Sequence, residues 1–82
     1  MRYTVTWHPE ARDDLARIWM SAANRKAVSE AADRIDAALS VDPEAKGQPF
    51  FGDRLLVGRP LAVTFATSTQ DRIVQVLQVW HR

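Results

Sequence analysis

Hydrophobic and polar positions change period at one point early in the chain. Tyr3, Val5 and Trp7 alternate with Thr4, Thr6 and His8, the period of a half-buried strand. From Pro9 the spacing lengthens: Ala11, Leu15, Ile18, Trp19 and Ala22 recur as one face of a helix. Pro9 suits the first helical turn, where its missing N–H costs nothing, and Glu10, Asp13 and Asp14 place negative charge near the positive end of the helix dipole. A second helix is predicted to start at an Asn24 N-cap and to bury Val28, Ala31, Ala32, Ile35, Ala38 and Leu39. Glu30 and Arg34 stand at a favourable i, i+4 spacing on it, and Asp42-Pro43 stops it. Both helices are alanine-rich where they would meet, which predicts a closely packed hairpin.

DPEAKGQPFFGD, residues 42–53, reads as a loop on its Pro and Gly content, with Phe50 and Phe51 pinning it to the body of the domain. Three strand signals follow: Arg54–Val57, Leu61–Thr67 and Arg72–Trp80. The short breaks at 58–60 and 68–71 predict an antiparallel meander. The expected fold is α+β, in the order β-α-α-β-β-β: a helical hairpin on one face of a twisted, mainly antiparallel four-stranded sheet, one domain over residues 1–82.

Period two also sorts the faces. If Tyr3, Val5, Trp7, Leu61, Val63 and Phe65 face the helices, then Thr4, Thr6, Ala62, Thr64 and Ala66 make an open floor of small residues. The last strand is apolar on both parities, Val74, Val76 and Trp80 against Ile73, Leu77 and Val79, which predicts an interior strand covered on both sides.

Composition narrows the picture. A chain of 82 residues makes one small core of marginal stability, and with no cysteine it has no disulfide to help, pointing to a reducing compartment. No apolar run suggests a signal peptide or membrane span, so a cytoplasmic protein without a membrane partner is expected. The net charge of +1 is far from a dedicated nucleic-acid surface, although residues 44–82 carry five Lys/Arg against three Asp/Glu.

A strand running into WHPEARDDL, a helical hairpin ending at Asp42-Pro43, then RLLV, PLAVTF and a closing RIVQVLQVWHR resembles the RelE/ParE superfamily, the toxins of type II toxin–antitoxin pairs, often called plasmid-stabilisation proteins. The resemblance rests chiefly on Pro9, Glu10, Ala11, Asp14 and Leu15 and on the final His81-Arg82, and it covers almost the whole chain. It implies a cognate antitoxin as partner, wrapping the toxin with a helix and an extended segment. It also implies one of two targets: the RelE-like branch cleaves mRNA on the ribosome, and the ParE-like branch inhibits DNA gyrase.

Cleaving RNA through its own 2′-OH needs a base, an acid and cations for the phosphorane charge. The RelE-like branch meets this with Lys, Arg and a C-terminal Tyr or His around a concave face. Here the only tyrosine is Tyr3, the lysines are Lys26 and Lys46, and LAVTF has Leu61 or Ala62 where nuclease members carry an arginine. The candidate catalytic residues, should the chain be a nuclease, are His81 as acid or base with Arg54 and Arg72 on phosphate, and Glu44 and Asp53 as accompanying carboxylates. The candidate binding residues are Thr4, Thr6, Thr64, Arg59, Trp80 and Arg82. His8 reads as structural and Trp7 and Trp19 as core, and no metal or cofactor is expected. The ParE-like function is the first expectation, with the RelE-like endoribonuclease, or a degenerate member that only binds an antitoxin, as alternatives.

Overall fold

The computed structural model describes residues 2–82. β1 (Thr4–Trp7) leads into α1 (Pro9–Ser21) and α2 (Arg25–Leu39); a short 3-10 turn at Pro43–Ala45 precedes β2 (Gln48–Phe50), β3 (Asp53–Gly58), β4 (Leu61–Ser68) and β5 (Ile73–His81). The five strands form one sheet in the order β1-β5-β4-β3-β2, antiparallel throughout except for the parallel pair β1/β5. Two helices on a mixed sheet, in the expected element order, make this an α+β fold. Among the described residues no helix is long and apolar enough to cross a membrane.

The local signals are realised in their physical form. His8 caps α1 by accepting the Glu10 amide on Nδ1 at 3.1 Å, and Asn24 caps α2 by accepting the Ala27 amide on Oδ1 at 3.0 Å. α2 ends at Leu39, three residues before Asp42-Pro43: the Ser40 carbonyl accepts from the Tyr3 amide at 2.8 Å, and Lys46 Nζ donates to the Ala38 and Val41 carbonyls at 3.0 and 2.6 Å, satisfying two acceptors at that terminus. Arg34 does not pair with Glu30; its guanidinium reaches across to the Arg59 carbonyl at 3.0 Å and ties α2 to the β3–β4 turn.

The core lies between the hairpin and one sheet face: Ala11, Val28, Ala31, Ile35 and Leu39 meet Leu61, Val63, Phe65, Val74, Val76 and Val79, with Tyr3, Val5 and Trp7 at its margin. α1 packs over β5 and α2 over β3 and β4. Gly58 lets α2 come close, since a Cβ there would stand 2.9 Å from Ile35 Cγ1.

Four expectations are corrected. The 42–53 loop contains a fifth strand, β2, at the sheet edge, where Pro49 is tolerated because one side of the strand needs no ladder donor. Gly47 enters it at φ +68°, and a side chain there would collide with the Leu55 carbonyl. Phe51 pins nothing: it sits in the β2–β3 turn at φ 50° and is 94% exposed. The helices do not close on each other; their apolar faces are turned to the sheet, leaving an outer groove in which Trp19, read as core, is 41% exposed. β5 is interior but covered on one face only, and Ile73, Gln75, Gln78 and Trp80 are exposed.

Candidate functional site

The cross-strand register fixes what the uncovered sheet face carries. Thr4 and Thr6 of β1 lie beside Ile73 and Gln75 of β5; Ala62 and Thr64 of β4 lie beside Trp80 and Gln78 on one side and Val57 and Leu55 of β3 on the other; Phe50 and Gln48 of β2 complete the row. Register shifts between Thr64 and Phe65, so Leu77 is an extra residue on β5 and the side-chain parity changes there. That is why Val74, Val76 and Val79 all face the core while Trp80 faces out.

The small-residue floor is therefore covered at its centre and open at Thr4 and Ala66. Thr64 is 1% exposed and Ala62 is buried, on the helix-free face, flanked by Leu55, Val57, Gln78 and Trp80. Thr64 Oγ1 donates to Gln78 Oε1 at 3.4 Å. Thr4 is exposed and Thr6 half-buried, its hydroxyl donating to the Val74 carbonyl at 3.2 Å. Trp80 is 39% exposed and meets Phe50 edge-on, with centroids 6.1 Å apart and ring planes at 70°. With Leu55 and Arg82 these rings line a depression of about 200 Å³. Arg82 is held in line by its amide, which donates to the Pro60 carbonyl at 2.7 Å, bringing it beside the turn that carries exposed Arg59.

His81, Arg54 and Arg72 do not come together. Arg72 precedes β5 and His81 ends it, so the strand's nine residues, about 30 Å, separate them. Arg54 pairs with Phe65, which pairs with Val76, leaving His81 about 16 Å further along the sheet. The Arg54 guanidinium is also engaged, donating from Nε to the Lys46 carbonyl and from Nη2 to the Gly47 carbonyl at 2.9 and 3.1 Å. Glu44 lies away from His81 too, accepting on Oε1 from the Tyr3 hydroxyl at 2.6 Å and from Thr69 Oγ1 at 3.2 Å. The hydrogen bond to Glu44 is the main cause that raises the Tyr3 phenol above its ordinary pKa, with desolvation and the carboxylate charge adding to it. Near this cluster Glu44, Asp53, Arg54 and Thr67 line a cavity of about 330 Å³. Among the described residues, no three His, Cys, Asp or Glu side chains gather where they could hold a metal ion.

A larger depression lies outside the sheet. Leu15, Ala16, Trp19, Met20, Val28, Ser29 and Ala32 line an apolar groove of about 510 Å³ between α1 and α2, with Arg12 and Asp33 at its polar rim. Met20 is 69% exposed, and Arg25 stacks on the Trp19 ring with its guanidinium carbon 4.8 Å from the centroid. Sequence reasoning missed this groove, because the same apolar stripe that predicts a buried face also supplies the residues left at its margin.

No family model matches the sequence, and comparison with curated proteins finds no relative. Similar solved structures do exist. A chain of the RelBE2 toxin–antitoxin complex from Mycobacterium tuberculosis superposes with a TM-score of 0.82 at 21% identity, covering 100% of both chains. A chain of the chromosomal ParDE system from P. aeruginosa gives 0.77 at 20%, covering 98% of this chain and 96% of that one. A chain of the archaeal RelE–RelB complex from Pyrococcus horikoshii gives 0.71 at 13%, covering 100% and 97%. At these identities the likeness is one of fold, and it extends over essentially the whole chain.

Proposed function

We propose that this chain, whose fold is that of the RelE/ParE toxins, is the toxin of a type II toxin–antitoxin module and acts in the cytoplasm by binding DNA gyrase rather than by cutting RNA. The observation that carries this reading is the make-up of the open sheet face. Where an RNA-cleaving surface needs a base, an acid and free cations close together, this face presents Leu55, Val57, Phe50 and Trp80, with His81 far from Arg54 and Arg72. A face built that way binds by burying apolar area, as protein interfaces do.

The three similar structures come from toxin–antitoxin systems, which supports a cognate antitoxin as the second partner. Two features suit it: the α1–α2 groove is shaped for an amphipathic helix, and β1 is an edge strand whose outer side is bridged only at its start, by Arg2 to Val41. A small domain with both uncovered is stabilised by a partner that binds only the folded state.

Expression of the chain alone in a bacterial host tests the proposal. Growth arrest with SOS induction and gyrase–DNA adducts is the expected result. Arrest with codon-positioned mRNA cuts, abolished by His81→Ala, overturns it in favour of the RelE-like nuclease, and no arrest leaves a degenerate antitoxin-binding member.

A further inference from the structure

We infer that the corner between Phe50, Leu55 and Trp80, with Arg82 at its rim, receives one large apolar side chain of a partner protein that carries a carboxylate next to it. The inference rests on the reading of the open face as a protein-binding surface and names the chemistry that the surface selects. At about 200 Å³ the corner is smaller than the ~300–1,000 Å³ of a small-molecule pocket, and it fits a single aliphatic or aromatic anchor. Its apolar walls are already ordered: Phe50 and Trp80 brace each other edge-on, and Leu55 stands on the neighbouring strand. Binding an anchor there costs little rearrangement.

Geometry separates this occupant from a nucleobase. Ring planes at 70° cannot hold a flat base between two parallel faces, and a net charge of +1 supplies little of the counterion-release attraction on which nucleic-acid binding depends. Charge fixes the second half of the motif. Arg34 donates to the Arg59 carbonyl and the Arg82 amide to that of Pro60, so three arginines gather at this end of the sheet. Among the carboxylates of the sheet and its turns, Glu44 and Asp71 stand at the opposite end, around the β4–β5 turn, while Asp53 is the cross-strand partner of Phe50 and lies outside the lining that Arg82 shares with Phe50, Leu55 and Trp80. An acid beside the anchor therefore meets Arg82 at the rim of the corner.

The test uses the full 15N-labelled chain and three capped peptides: Ac-Gly-Glu-Leu-Glu-Gly-NH2, its Lys-flanked counterpart, and the acidic peptide with Ala in place of Leu. The acidic leucine peptide should shift the Trp80 indole resonance in the millimolar range, at least about tenfold more tightly than either control. Arg82→Glu should reverse the preference toward the Lys-flanked peptide, and Trp80→Ala should abolish the peptide-induced shifts of the Phe50, Leu55 and Arg82 amides while the helical-hairpin resonances stay in place. Equal response to acidic and basic peptides, shifts confined to the Trp19 indole, or tighter binding of oligouridylate at Trp80 would each overturn the inference. The outcome is independent of toxicity: intact peptide preference without gyrase adducts counts against the proposed function alone.

Discussion

The two faces of one sheet are built to different rules. On the helix-covered face, Leu61, Val63, Phe65, Val74, Val76 and Val79 interlock with α1 and α2 and no polar side chain is needed to close the layer. On the other, small residues of β4 are covered by side chains of β2, β3 and β5 that themselves stay partly in water, Trp80 and Val57 among them. The first arrangement concentrates cohesion, and the second keeps apolar area available. A domain of this size has room for one well-sealed interior, and the face left half-finished is the one proposed above to meet a partner.

Substitutions on the two faces should break apart accordingly. Phe65→Ala on the sealed face should cost about 3–5 kcal/mol, enough to leave much of the protein unfolded in urea titration; a loss near that of a surface change would mean that the hairpin does not seal the layer. Gly58→Val, which drives a branched side chain into Ile35 and lifts α2 off β3, should cost about 2 kcal/mol on the same assay, and an unchanged midpoint would put α2 further from the sheet than 2.9 Å between Cβ and Ile35 Cγ1 allows. Trp80→Ala on the open face should cost only about 1 kcal/mol of stability yet remove target binding; a core-sized destabilisation would erase the distinction between the faces.

The smallest effect lies at the margin between them. Because the folded Tyr3 phenol is raised above its usual value of ~10, its protonated form is favoured by folding; that contribution is complete below the unfolded value and fades as pH climbs through the folded one. Tyr3→Phe should flatten that alkaline fall in melting temperature, and an identical alkaline profile in the variant would show that the contact with Glu44 is not maintained in solution.

What the sequence made legible follows the same division. The period change at Pro9, the Asn24 cap, the alternation along β1 and β4 and the turns at 58–60 and 68–71 are local signals, and each leads to the right element. β5 resists parity assignment because its alternation is interrupted at Leu77: Val74 and Val76 predict that Trp80 is buried with them, while the bulge puts Val79 there instead. β2 is hidden because an edge strand tolerates the proline and glycines that mark a loop. The crowding of Phe50, Leu55 and Trp80 into one corner depends on three strands in register, and no window along the chain contains it.

Placing β1 against β5 joins the earliest strand of the chain to the latest. During synthesis, Thr4–Trp7 leaves the ribosome with no hydrogen-bonding neighbour, and the hairpin behind it has no finished layer to rest on until Ile73–His81 emerges. The pairing of β1 with β5 is therefore a closure across most of the domain's length, and the layer under α1 is complete only once Ile73–His81 is in place.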